Sequence, residues 1–170
     1  NGILPAALQL TSDQPIVVGM RQFFGGRNVQ NEASFTAGAQ PFAGPSAVSG
    51  LPVRSATDVK LQISAPATSV EVDVTMLPFR GGTTIAEETE PVRVSVPAGE
   101  VRVITFEPST DVDWFTGVIT PVPGSGPILA AHRVKERSDF GDLITGYPWK
   151  PLRVRVPVPQ VVPDVAVVGR

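Results

Sequence analysis

Residues 59–76 read Val-Lys-Leu-Gln-Ile-Ser-Ala-Pro-Ala-Thr-Ser-Val-Glu-Val-Asp-Val-Thr-Met. Apolar and polar residues alternate on both sides of a central alanine-proline-alanine break. A period of two is the pattern of a β-strand with one buried and one solvated face. This stretch therefore predicts two half-buried strands joined by a short turn.

The same alternation continues along the chain. Residues 92–96 and 101–105 alternate around Pro-Ala-Gly-Glu at 97–100, which predicts a hairpin. Ile104 and Phe106 fall out of register with Val101 and Val103, so we expect either a bulge or burial on both faces there. Further strands are predicted at residues 114–120, 128–134, 152–156 and 161–168, the last interrupted by Pro163.

The composition agrees with many short strands. The chain of 170 residues contains 16 Gly and 18 Pro, and no stretch has a convincing helical period. Its hydrophobic content of 42 % is enough for a core. Short strands with regular turns predict an all-β protein built as an antiparallel immunoglobulin-like β-sandwich. A closed β-barrel has a similar sequence pattern and stays open as the alternative.

Part of the chain is also similar to itself. Residues 15–21 read Pro-Ile-Val-Val-Gly-Met-Arg, and residues 127–133 read Pro-Ile-Leu-Ala-Ala-His-Arg. Each copy follows an apolar stretch that ends in threonine, and each precedes a phenylalanine and a Pro-aromatic pair. We interpret residues 1–53 as the C-terminal part of a first module, a hairpin of residues 6–10 and 16–23 plus a linker. Residues 54–170 would then form a complete second β-sandwich module.

Composition excludes several classes of function. The chain has no cysteine, which removes thiol catalysis and cysteine-ligated metal. The net charge is −2 and no block of like charge is long, so we expect no nucleic-acid partner. No apolar run is long enough for a transmembrane helix, and membrane contact would need regions beyond this sequence. Because Asn1 stands just ahead of a predicted strand, we expect a fragment or a mature product.

Candidate chemistry is sparse. His132 is the sole histidine, lies in a predicted strand and matches Met20 in the other copy, which favours packing over catalysis. One histidine cannot supply a zinc site, and we expect no metal and no cofactor. The remaining polar candidates are better explained as solvated loops, turns or strand faces: Asp111 and Asp113, Glu87, Glu88 and Glu90, Glu71 and Asp73, the Gly-Gly pairs at 25–26 and 81–82, and Arg153 and Arg155.

Aromatic residues give the one candidate ligand surface. Sugars stack on exposed aromatic rings, and Tyr147, Trp149 and Trp114 are the residues that could bind a glycan. In this reading, Tyr147 and Trp149 flank a rigid proline in a predicted loop. The competing interpretation is that Trp149 matches Phe42 of the first copy and anchors the end of the module on its sheet.

Two runs carry a resemblance. Residues 10–19 contain Thr-Ser-Asp-Gln-Pro-Ile-Val-Val-Gly, and residues 94–99 read Val-Ser-Val-Pro-Ala-Gly. In these the chain resembles an uncharacterised group of secreted, envelope-associated proteins of actinobacteria. The resemblance implies export and a β-sandwich, and it carries no functional residues with it.

We therefore expect a non-catalytic, extracellular or cell-envelope module with a structural or interaction role, its partner a protein or a cell-wall glycan. A carbohydrate-binding module is the alternative.

Overall fold

The computed structural model describes residues 7–24, 32–54, 57–81, 83–84, 90–106, 111–138 and 141–152. Within these residues the regular structure is entirely β. Eleven strands follow one another: β1 Gly19–Phe24, β2 Glu32–Ala37, β3 Ser46–Pro52, β4 Thr57–Ser64, β5 Val70–Arg80, β6 Thr83–Thr84, β7 Val92–Val96, β8 Val101–Phe106, β9 Trp114–Pro121, β10 Leu129–Ser138 and β11 Gly141–Pro148.

Two antiparallel sheets form the body of the molecule. The first sheet has the order β11-β10-β4-β8. The second has the order β3-β9-β5, and β5 pairs on its other side with both β6 and β7. The sheets are not closed into a barrel. The predicted antiparallel β-sandwich is therefore confirmed.

The core lies between the sheets and is supplied by the alternation read from the sequence. On β4 the side chains of Val59, Leu61 and Ile63 are buried, and on β5 those of Val70, Val72 and Val74. The same cluster includes residues of the other strands and of their connections: Phe42, Leu51, Ala65, Val96, Ile119, Ile128, Ala130 and Trp149. Burial of these apolar side chains is the main term that stabilises the sandwich.

Strand β8 contains neither the bulge nor the burial on both faces that its sequence predicted. It pairs with β4 in unbroken register, with Ile104 opposite Leu61 and Phe106 opposite Val59. Because Leu61 and Val59 face the core, Ile104 and Phe106 pack against it too, and Val103 on the other face is exposed. The expected bulge or burial on both faces was wrong.

The turn at residues 97–100 exists, but the predicted hairpin does not. Glu100 N donates to Pro97 O at 3.0 Å, and Gly99 has a φ of 76°, which favours glycine. However, β7 pairs with β5 in one sheet and β8 pairs with β4 in the other. The chain therefore crosses between the sheets here. The turn is bonded to the β4–β5 connection, because Gly99 N donates to Ala65 O at 2.7 Å and Ala65 N to Glu100 O at 3.2 Å.

The N-terminal hairpin differs from the prediction. Residues 7–18 contain no strand, and β1 starts at Gly19 and pairs with β2. Strand β2 lies beside β11 at the edge of the first sheet. The sequence between residues 25 and 55 predicted a linker, because it is rich in small and polar residues. It contains β2 and β3, whose hydrogen bonds come from neighbouring strands rather than from a strong local pattern.

The predicted module boundary after Val53 falls inside the sandwich. Strand β3 lies before this boundary, yet it pairs with β9, and both Leu51 and Val53 are buried. Phe42 N and O also exchange hydrogen bonds with Ile128, both at 2.9 Å. Residues from about 42 onwards therefore belong to the same unit as residues 57–152. The predicted strands at 153–156 and 161–168 lie outside the described residues.

Candidate functional site

The β10–β11 hairpin brings three of the sequence candidates together. His132 on β10 lies opposite Tyr147 on β11, and their ring centroids are 5.8 Å apart. Trp149 follows β11 directly, and its backbone N–H donates to Ala130 O at 2.8 Å. The indole and imidazole rings meet edge to face at 6.4 Å. This His-Tyr-Trp cluster (His132, Tyr147 and Trp149) is the best candidate site within the described part of the chain.

Trp149 is an internal anchor. Its side chain is only 3 % exposed and packs towards the opposite sheet. There its ring lies over Gly117 on β9, in the space that a side chain at this position would occupy. Its Nε1–H donates to Nδ1 of His132 at 3.1 Å, so the polar atom of the ring is satisfied inside the core. Trp149 therefore holds the end of the β10–β11 hairpin onto the sandwich.

This arrangement favours the neutral form of His132. It faces the core because its other neighbour in register is the buried Leu61. Burial lowers the pKa of His132 below its ordinary value of 6.5, since desolvation disfavours the charged ring. Because Nδ1 accepts the hydrogen bond from Trp149, the proton of the neutral ring sits on Nε2. In the described residues no carboxylate hydrogen-bonds to His132, so the orienting partner of a catalytic histidine is not found there.

The predicted glycan surface is not assembled as expected. Trp149 is buried, so its ring faces cannot stack on a sugar, and this part of the prediction was wrong. Tyr147 lies in strand β11 rather than in a loop and is 60 % exposed. Trp114 belongs to β9 in the other sheet, where it stacks on Phe79 at 6.4 Å. Of the three aromatic side chains, Tyr147 is therefore the most exposed to solvent.

The acidic candidates have structural partners. The Asp113 carboxylate accepts a 2.8 Å hydrogen bond from Gly81 N, where the backbone φ is 57°, and so holds the β5–β6 turn. Asp73 binds Arg93 through two hydrogen bonds of 2.6 and 3.1 Å, and Glu71 lies 3.5 Å from the same guanidinium. The bond to Asp73 is the largest cause of a raised pKa at Arg93.

The other sequence candidates add no site. Glu90 is exposed, whereas Glu87, Glu88, Arg153 and Arg155 lie outside the described residues. No group of three potential metal-ligating side chains occurs among the residues that the structure describes.

An open groove of about 420 Å³ lies beside the β9–β10 connection. Two of its hydroxyl groups are engaged: Ser125 Oγ accepts from Glu71 N and donates to Glu71 O, both at 3.2 Å, and Ser69 Oγ accepts from Ala98 N at 3.1 Å. These bonds tie the connections between the sheets together. Glu71 is the one titratable residue among those that line the groove, so no pair of titratable groups converges in it.

No protein-family model matches this chain, and no curated protein does. Among solved structures it is similar to the "Crystal Structure of Thermotoga maritima 1070", with 9 % sequence identity and a TM-score of 0.48. That similarity covers 65 % of this chain and 95 % of the other. Across the described ranges, no helix has the length and apolarity needed to cross a bilayer.

Proposed function

We propose that this chain is a non-catalytic interaction module of an exported, envelope-associated protein. The observation that carries the proposal is an apolar arm, which we define as residues 7–20. Its large apolar side chains are exposed and pack on no core: Leu8, Leu10, Ile16, Val17 and Met20. Soluble proteins seldom present apolar groups in such a series unless another surface covers them.

The charged groups favour the same conclusion. Among the described residues, Arg93 is matched by Asp73 and Glu71, Arg133 by Asp58 at 2.9 Å, and Arg102 by Glu100 at 3.6 Å. Such pairs are typical of solvated sheet faces and contribute little to stability each. These charged side chains of the sandwich are thus paired with one another, which leaves the exposed side chains of the apolar arm as the surface for contact with a partner. Export is supported by the resemblance of residues 10–19 and 94–99 to actinobacterial envelope proteins.

Cell fractionation tests the proposal. The wild-type chain, produced in an actinobacterium behind an export signal, should remain with the cell envelope. Leu10→Asp should release it into the medium without lowering the melting temperature, because Leu10 is exposed in the chain by itself. Val92→Asp is the matched control, since it adds the same charge at another exposed apolar position and should leave the distribution unchanged. Equal distributions of wild type and Leu10→Asp would reject the proposal.

Glycan binding is the second candidate and rests on Tyr147. Its exposed ring lies on β11, the outermost strand of the first sheet, and packs beside the ring of His132. A glycan array with isolated cell-wall fragments tests this candidate. Binding that disappears in Tyr147→Ala and persists in Tyr147→Phe would establish it, because phenylalanine keeps the stacking face. A blank array removes it.

A further inference from the structure

The apolar arm matches buried strands in the same molecule. Residues 7–11 align with the β9 segment 116–120, and residues 15–21 align with 127–133 at the start of β10. Leu10 and Ile16 are each 53 % exposed, whereas their counterparts Ile119 and Ile128 are both 0 % exposed. The arm therefore carries core-forming residues whose covering layer is not supplied by the rest of the sandwich.

The hairpin that follows the arm supports the same alignment. Gly38 N donates to Val18 O at 2.8 Å, and in the other copy Trp149 N donates to Ala130 O at 2.8 Å. Since Val18 aligns with Ala130, the β1–β2 hairpin is closed by the same bond as the β10–β11 hairpin. The equivalence thus extends from sequence to backbone geometry. It also shows that Gly38, not Phe42, occupies the place of Trp149.

The chain itself shows what covers such an arm. In the sandwich, β9 lies between β3 and β5, and Ile119 is sealed by the core that the facing sheet completes. Residues 42–106 supply those neighbouring strands together with β4 and β8 of the facing sheet. A second copy of the whole chain cannot offer this place, because its own β9 already fills it.

We infer that the apolar arm and the β1–β2 hairpin are the last three strands of another sandwich, and that their partner is a segment built like residues 42–113 of this chain. The partner would pair with residues 7–11 on both sides, as β3 and β5 pair with β9. It would bury Leu10 and Ile16 beneath a sheet of the β4 and β8 type. This inference deepens the proposed function by specifying the contacting strands and the class of partner.

Amide hydrogen exchange on an extended chain tests the inference. The full chain carrying an additional copy of residues 42–113 ahead of Asn1 should protect the amides of residues 8–10 and 16–18 by at least about 100-fold relative to the unextended chain. Ile16→Asp in the extended chain should abolish that protection and leave the exchange of β4 unchanged. Equal exchange of the arm with and without the added copy would overturn the inference.

Two further measurements guard against misfolding of the extended chain. In the unextended chain, Ile16→Asp should leave the melting temperature unchanged, whereas the matched Ile128→Asp should strongly destabilise the fold; equal losses would show that the arm is already buried. If the extended chain aggregates, a second fusion replaces it, in which residues 42–113 are joined after Arg170 through a flexible linker of about 30 residues. Protection of the arm amides is again the criterion. Failure of both fusions to protect the arm overturns the inference, and the fractionation result for Leu10→Asp still decides the proposed function separately.

Discussion

Gly117 is the position where a single added methyl group tests the packing of Trp149. It lies on β9, opposite Val48 on β3 and Met76 on β5. A Cβ at Gly117 would lie 2.8 Å from Cη2 of Trp149 and 3.4 Å from Cδ1 of Leu51. Trp149 cannot easily retreat, because it is buried and hydrogen-bonded through both its backbone N–H and its Nε1–H. Gly117→Ala should therefore overpack the core.

The magnitude follows from two opposing terms. Overpacking a tight core costs about 1–3 kcal/mol. Replacing glycine by alanine restricts the unfolded chain and returns about 0.4–1 kcal/mol. We expect Gly117→Ala to lower the free energy of unfolding by about 1–2 kcal/mol, which for a protein of this size shifts the melting temperature by roughly 2–8 °C. Urea unfolding followed by circular dichroism measures it directly.

A double-mutant cycle assigns the effect to Trp149. Trp149→Phe removes the part of the ring that holds Cη2, so the loss caused by Gly117→Ala should shrink by about 0.5 kcal/mol or more in that background. Gly44→Ala is the control, because an added Cβ there meets nothing within 4 Å. The reasoning is refuted if Gly117→Ala is no worse than Gly44→Ala, or is equally harmful in both backgrounds.

Three further outcomes are expected. Burial lowers the pKa of His132, so the unfolded chain gains its proton first as the pH falls; stability should be full above the ordinary pKa of 6.5 and decrease below it. His132→Gln should flatten this dependence in urea titrations between pH 7 and 5, and parallel curves would contradict it. Leu61→Ala should cost about 2–5 kcal/mol, because Leu61 is fully buried, whereas Val103→Ala on the outer face of the same sheet should cost well under half as much. Asp73→Asn should change stability by less than about 1 kcal/mol, and the loss should fade in high salt.

The candidate site shows which kind of signal the sequence lacked. Trp149 is an anchor, as one of the two readings predicts, although its backbone equivalent is Gly38 and not the Phe42 on which that reading rested. Nothing in Tyr-Pro-Trp distinguishes a buried ring from an exposed one. Its partner His132 is 17 residues away. The two meet because β10 and β11 pair in a register that sets His132 opposite Tyr147, just before Trp149. The one available signal was the core-facing alternation of Ala130, His132 and Val134.

Local sequence patterns are enough to predict the class of fold and most of the core. The alternation on β4 and β5 predicted which side chains are buried, because a strand's two faces are set by a local period of two. Turn residues such as Gly99 likewise marked where the chain reverses, since a positive φ is a local property.

Which strands become neighbours depends on contacts between distant parts of the chain. A turn sequence looks the same whether the two strands that it joins pair with each other or enter different sheets. The sequence therefore could not show that the chain crosses from one sheet to the other between β7 and β8. Strand β3 forms in weak local sequence because it pairs with β9, which lies far along the chain, whereas β2 and β11 each pair in a hairpin with the strand that precedes them. The exposure of Leu10 and Ile16 is likewise a tertiary result, because the similar apolar residues Ile119 and Ile128 are fully buried in the core between the two sheets.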